Sequence, residues 1–401
     1  MTKVKASKPF EAERFSMLPT RLRQVLVAIA VASSACAASA QTYTFTLLDT
    51  LGGSRSFAQA INNSGQVVGY SYLTGNTFRH ATVWNGAAAT DLGAPFGGDS
   101  FALSINNSGA IAGLDIGIRG TGTNVFRPMV WDGSGVSDLS LLQTPSPTPF
   151  GIAFAINDAG VVAGESRSSQ GLGATVWNGS SVSYLNPTCC GPESLFEESH
   201  ARAINNAGQV AGYASVGGIG VATVWNETSY TFLPTGGSLG SFAFGINDLG
   251  MVVGSVSATS STNHGALWLD GTLIDLSILG GDSGSANDIN NVGQIVGSSR
   301  LVGSQFSSAS LWTSTSYVDL NDYLEPNMAA AGWHLETAVA INDNGWIIGD
   351  TVNTLTGQRQ SYVLAPVPEP SPYALMLAGL GFVGFVARRR RTSAISQDRT
   401  A

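Results

Sequence analysis

From Ala58 to Gly69 the chain reads AQAINNSGQVVG, two short apolar runs on either side of a polar turn. Runs of five or six small and β-branched residues, broken by Asn and Gly, predict a β-hairpin. The same pattern occurs seven times: Ile, Asn, Asn or Asp, any residue, Gly, any residue, an apolar pair, and a second Gly. The copies begin at Ile61, Ile105, Ile156, Ile204, Ile246, Ile289 and Ile341, in steps of 44, 51, 48, 42, 43 and 52 residues. That period is the length of a four-stranded propeller blade, roughly 40 to 50 residues.

The first Gly of each copy, as in Gly65 and Gly345, suits a loop that needs one left-handed residue, and the Asn ahead of it caps the turn through its side chain. A second hairpin follows in each unit. HATVW, Asn85-Gly86 and AAATDLG form the first, and Trp131, Trp177, Trp225, Trp268 and Trp312 repeat the place of Trp84. Asn178-Gly179, Asp132-Gly133 and Asp270-Gly271 recur after these tryptophans, and such pairs predict type I′ turns. Two hairpins make a four-stranded sheet, and seven sheets must cover one another's apolar faces. The opening YTFTLLDTLGG matches a fourth strand with no first three before it, whereas the closing SYVLAP at 361–366 matches a third strand with no fourth after it. Together they complete one blade. The expected fold is therefore all-β: a seven-bladed β-propeller of four-stranded blades, closed by pairing of 43–51 with 360–365. A β-solenoid is the competing architecture.

Charge narrows the function. Residues 41–367 carry 8 Arg, no Lys and 23 Asp plus Glu, a net −15 that would repel nucleic acid. With 49 Gly and 15 Pro, the 401-residue chain suits a β-rich array with many turns.

The ends differ from the repeats. Arg21 and Arg23, the apolar run LVAIAVA, and small residues ending at Ala40 have the layout of a signal peptide over 1–40, with cleavage after Ala40. A lipoprotein reading at Cys36 lacks the Leu expected at the start of a lipobox. Beyond Cys36 only the adjacent Cys189 and Cys190 remain, which excludes a long-range disulfide framework and falls short of a zinc site. After the repeats (41–366) come Val367, Pro368, Glu369 and Pro370, an apolar segment at 373–387, and Arg388, Arg389, Arg390 and Arg391. Fifteen residues make a helix of about 22 Å, short of a roughly 30 Å hydrocarbon core, so this segment predicts transient retention in the inner membrane. The arginines and the tail 392–401 should stay cytoplasmic.

This C-terminal arrangement resembles the PEP-CTERM sorting signal of Gram-negative bacteria. The resemblance implies an exosortase as processing partner, export across the inner membrane, a cell-surface or extracellular destination, and exopolysaccharide as a plausible ligand. The body, over about 43 to 365, resembles the HAF family of extracellular repeats: it keeps DTLGGSRSFAQAINNSGQVVG at 49–69 and LGGDSGSANDINNVGQIVG at 279–297. It departs at the family's His-Ala-Phe triplet, present only as His80-Ala81-Thr82 and His264-Gly265-Ala266. The family brings no catalytic residues to carry over.

The sequence offers little chemistry of its own. His80, His200, His264 and His334 form no metal-ligand spacing, no G-x-S-x-G elbow or phosphate loop occurs, and Glu197-Glu198 and Asp319 with Asp322 read as solvated loop carboxylates. No catalytic residue, metal or cofactor is expected, and no calcium loop pattern is present. The aligned tryptophans are expected to pack between blades. Alternating turns put the Asn-x-Gly and Asn-Gly hairpins at one end of each blade. The long connections at 114–126, 142–151, 186–199 and 321–337 fall at the other end. Their aromatics Phe150, Phe196, Tyr323 and Trp333 form the candidate ligand face. The expected function is a binding or structural module of the extracellular matrix, not an enzyme. The alternatives are a polysaccharide-acting enzyme, marked by two carboxylates about 5 to 10 Å apart in one pocket, and a passive envelope protein.

Overall fold

The computed structural model describes residues 42–367 except 119–123, 140–149, 169–170, 186–197, 228, 260–261, 277–282, 301–302, 305 and 314–315. Seven four-stranded antiparallel sheets stand as the blades of a propeller. In blade one, Gly52–Ile61, Gln66–Leu73, Arg79–Asn85 and Ala88–Gly93 pair in chain order. Blades two to six repeat this order over 99–138, 151–184, 199–232, 241–275 and 283–319. Blade seven takes Trp333–Ile341, Ile347–Asn353 and Arg359–Pro366 from the end of the chain and Tyr43–Leu47 from its beginning.

That seam is the closure expected from the complementary ends. Leu48 N donates to Ser361 O at 2.9 Å and Gln360 Nε2 to Leu48 O at 2.7 Å, while Leu48 is fully buried. The Tyr43 ring packs 4.8 Å from Tyr323, and burial pushes its hydroxyl pKa up to about 12.

The apolar clusters lie between blades. Ala58, Ile61, Val67 and Trp84 of blade one pack with Leu48, Ala340, Ile348 and Val363 of blade seven. The six aligned tryptophans are at most 4 % exposed, as expected of inter-blade packing. Leu364 takes the equivalent place in blade seven, opposite Ile347 as Trp84 is opposite Val67. Buried serines stitch neighbours together: Ser100 Oγ accepts from Ala81 N, Ser199 from Ala174 N, Ser241 from Ala222 N and Ser361 from Ala58 N, each at 2.8 to 2.9 Å.

Each first strand carries a β-bulge just before its motif isoleucine, between Ala58 and Ala60 in blade one and at the matching position in the other six, and those of blades one and seven carry a second register shift earlier, at Gly52/Ser56 and Leu335/Thr337. A bulge leaves one residue unpaired and re-aims its side chain. It also swings a carbonyl over the second strand. A Cβ on Gly69 would collide with Phe57 O, one on Gly212 with His200 O, and the other five blades repeat the clash. Close approach of backbone therefore explains the second Gly of every copy.

Three local expectations change. Both central residues have positive φ, as a type I′ turn requires, only at Asp270-Gly271 (48° and 74°) among the Asn-Gly and Asp-Gly pairs. Asn85 and Asn178 are instead the last strand residues, opposite Ala88 and Ser181, so Gly86 and Gly179 take the first central position, the glycine place of a type II′ turn. The stretch 114–126 is not an inserted loop where it is described: Ile111–Ile118 and Asn124–Asp132 pair as far as Ile118↔Asn124. Within 321–337 the chain forms a 3-10 turn, Leu320–Tyr323, and a short helix, Pro326–Ala330.

Candidate binding site in the central channel

Seven first strands face the propeller axis, and each ends in Ile-Asn-Asn or Ile-Asn-Asp. The first Asn caps its own turn. Asn157 Oδ1 accepts from Ala159 N at 3.1 Å and Val161 N at 2.9 Å, and the second of these bonds recurs in all seven motifs. Its Nδ2 also reaches the next blade, which the sequence did not disclose. The bonds run Asn62 to Asn106 O, Asn106 to Asn157 O, Asn157 to Asn205 O, Asn205 to Asn247 O, Asn247 to Asn290 O, Asn290 to Asn342 O, and Asn342 back to Asn62 O, all 2.9 to 3.2 Å. The circle closes, and these asparagines are 3 to 5 % exposed.

A second circle lies outside the first. Each backbone N–H at the third motif position donates to the side chain of the next blade at 2.8 to 2.9 Å, from Asn63 to Asn107 and onward until Asp343 N donates to Asn63 Oδ1. Its carboxylates are Asp158, Asp248 and Asp343, never adjacent. Asn206 Nδ2 bridges the Oδ2 atoms of Asp158 and Asp248, and Asn291 Nδ2 those of Asp248 and Asp343. Alternation keeps like charges apart and gives each acid an amide donor on both sides.

These circles form one mouth of the channel, a cavity of about 170 Å³ at the short-turn end. The seven motif isoleucines form a girdle beneath it. Below the girdle is a chamber of about 230 Å³, lined by the bulge residues Gln59, Leu103, Phe154, Arg202, Phe244, Asn287 and Val339. Because these precede the isoleucines on strands that run toward the short turns, the chamber lies toward the long-connection end. The frame around each bulge is nearly constant, Ala-x-small-Ile-Asn, while the bulge residue itself differs widely. That contrast was the available sequence signal, and only the bulge reveals that it points inward.

Asp288 is the exception in the small position, where the other blades have Ala, Ser or Gly. Its Oδ2 accepts from Ile341 N of the next blade at 2.9 Å and its Oδ1 from Ile289 N at 2.8 Å. Ser104 makes the equivalent contact to Ile156 N at 3.2 Å. Burial pushes the Asp288 carboxyl up to about 7 against the pull of its two backbone donors, with Asp343 adding to the rise.

The histidines are locally partnered. His80 pairs with Asp91 at 2.9 Å, His264 with Asp275 at 2.8 Å, and His200 with Glu165 of blade three at 2.5 Å, while His334 Nε2 bonds Ser307 O. Arg127 and Asp138 occupy in blade two the places held by His80 and Asp91 in blade one, so a basic side chain on the third strand meets the Asp of Asp-Leu on the fourth. No cluster of three metal-ligating side chains is present among the described residues.

Three of the expected face aromatics lie among the described residues. Phe150 packs against Phe126 at 5.2 Å, Tyr323 lies against Tyr43 at the seam, and half-buried Trp333 pairs with Asn353. Phe196, Cys189, Cys190, Ala40, the segment 373–387, Pro368 to Pro370 and Arg388 to Arg391 lie outside the described residues. Val367 is exposed. No helix among the described residues is long and apolar enough to cross a membrane.

Residues 366–391 match the PEP-CTERM protein-sorting motif. No curated protein matches the chain significantly. Among solved structures, TolB from Acinetobacter baumannii is similar at 12% identity and a TM-score of 0.37, over 84% of this chain and 82% of that one. The SapL1 lectin, solved with alpha methyl fucoside, is similar at 12% identity and 0.36, over 80% and 99%. Trypanosoma rangeli sialidase is similar at 9% identity and 0.40, over 82% of this chain and 59% of that one.

Proposed function

We propose that this chain is a secreted, surface-sorted propeller of the HAF-repeat type that acts as a binding or structural module of the extracellular matrix, with exopolysaccharide as its partner and an exosortase as its processing enzyme. The observation that carries the reading is the sorting motif at 366–391, which begins where the last strand, Arg359–Pro366, ends. A rigid ring with differing side chains on a constant frame supports binding, because specificity can then change without altering the fold. The described lining of the chamber contributes one carboxylate, Asp288, whereas glycoside hydrolysis works through two.

The test is a glycan and exopolysaccharide binding screen on the purified protein, paired with localisation of the chain carrying Arg388 to Arg391 replaced by Ala. Binding to an exopolysaccharide and loss of surface delivery in the variant are expected. Turnover of a bound glycan, or surface delivery that ignores the arginines, would overturn the reading.

A further inference from the structure

We propose that the chamber below the isoleucine girdle binds a single carboxylate-bearing sugar unit, with the Arg202 guanidinium taking the carboxylate and Phe154 and Phe244 walling the sugar ring. The choice of a sugar rests on the matrix-binding reading above; the anion site rests on the residues themselves.

Arg55 and Arg202 each have an Nε buried without a hydrogen bond, and of the two Arg202 lines the chamber. Arg79, Arg127 and Arg359 are each ion-paired, with Asp99, Asp138 and Glu336. Arg202 has no carboxylate partner among the described residues. Its Nε is buried without a hydrogen bond, and its one polar contact is a long 3.4 Å approach of Nη2 to the Tyr213 hydroxyl. Aromatic rings flank the guanidinium, Phe154 of the neighbouring blade at 4.2 Å and Tyr213 at 5.7 Å. Arg202 is half-buried and one of its donors, Nε, is buried and unfilled, so an anion that completes its hydrogen bonds is favoured there. A planar guanidinium edge matches a carboxylate in two parallel hydrogen bonds.

The rest of the chamber suits a sugar ring better than a bare anion. Phe244 is the bulge residue of the next blade and offers an apolar wall. Gln59 spends its Nε2 on Ala58 O at 3.1 Å and has its Oε1 to accept from a hydroxyl. At about 230 Å³ the space is below the roughly 300 to 1,000 Å³ of drug-sized pockets, which fits one monosaccharide unit. The net charge of −15 over 41–367 sets the charge density of the ligand. A densely anionic polymer meets that field at every residue, whereas a single carboxylate beside Arg202 meets it once, and Asp288, the carboxyl in the described chamber lining, is engaged by two backbone N–H donors.

The experiment is a ligand-observed NMR titration of the purified protein with D-glucuronate, D-glucose and acetate, repeated on R202Q after its melting curve confirms folding. Glucuronate should bind at least ten-fold more tightly than either control, and R202Q should lose at least ten-fold. Equal binding of glucose, equal binding of acetate, or unchanged glucuronate affinity in R202Q would each overturn the assignment. The wild-type comparison decides even if R202Q does not fold. Exopolysaccharide binding that survives in R202Q would remove this site and leave the matrix reading intact; absence of any glycan binding would remove both.

Discussion

Replacing Asn157 separates the two tasks given to the first Asn of each motif. Its Oδ1 caps the turn through Ala159 N and Val161 N, and its Nδ2 joins blade three to Asn205 O of blade four at 3.1 Å. Asn157→Ala removes all three bonds from a side chain 5 % exposed. At about 1 kcal/mol of net stability per bond, the loss is about 3 kcal/mol. Unfolding entropy of roughly 2.1 cal/mol/K per residue over some 300 ordered residues converts this to a fall in Tm of about 4 to 5 °C. Asn157→Asp keeps the cap acceptor but turns the inter-blade donor into an oxygen facing a carbonyl. Its carboxyl pKa should rise on folding, because only the protonated form can donate to Asn205 O. The native state then binds the proton more tightly than the unfolded chain, so stability falls as pH rises from the unfolded to the folded pKa. Differential scanning calorimetry of both variants at pH 5 and pH 8 is the assay. The Asp variant should approach wild type at pH 5 and fall well below it at pH 8. An Asp variant as stable as wild type at pH 8, or an Ala variant within about 1 °C of wild type, would refute the closed circle as a source of stability.

Other perturbations test the remaining joints. Gly212→Ala places a methyl against the His200 carbonyl under the bulge and should destabilise by more than about 3 kcal/mol, as strained overpacking does at its upper end, read from a urea midpoint. Leu48→Ala at the seam, where the side chain is fully buried against Val67 and Trp84, should cost about 2 to 5 kcal/mol; a change below about 1 kcal/mol would mean that the N-terminal segment does not close the ring. Asp288, with its pKa raised from 3.8 to about 7, binds its proton more tightly when folded. Its contribution to stability should fall as pH rises from about 4 to 7 and level off above that. Asp288→Ala, which installs the residue found at the equivalent position in four other blades, should flatten that part of the stability curve. An unchanged curve would place the titration elsewhere.

Repeat number, strand content and closure were legible in the sequence because each depends on local signals. Hairpins follow from alternating small and β-branched residues around Gly turns, and a seven-fold count follows from seven copies of Ile-Asn. Closure could be read from the ends because Tyr43–Leu47 lacks three strands and Ser361 to Pro366 lacks one. The turn geometry at Asn85-Gly86 was misjudged because cross-strand pairing, not the dipeptide, decides which residue occupies the central position.

Only the tertiary structure decided what the repeated Asn does beyond its own turn and where the variable residue of Ala-x-small-Ile-Asn points. The first depends on contacts 42 to 52 residues apart along the chain, and 280 across the seam; the second depends on how the first strand of each blade pairs with the second. A sequence pattern records preferences within a strand, but it carries no direction between blades. The bulge ahead of each motif isoleucine sets where the variable residue points: left unpaired, Gln59, Phe154, Arg202 and Phe244 turn toward the axis, where strict alternation along an unbroken strand would not have placed them.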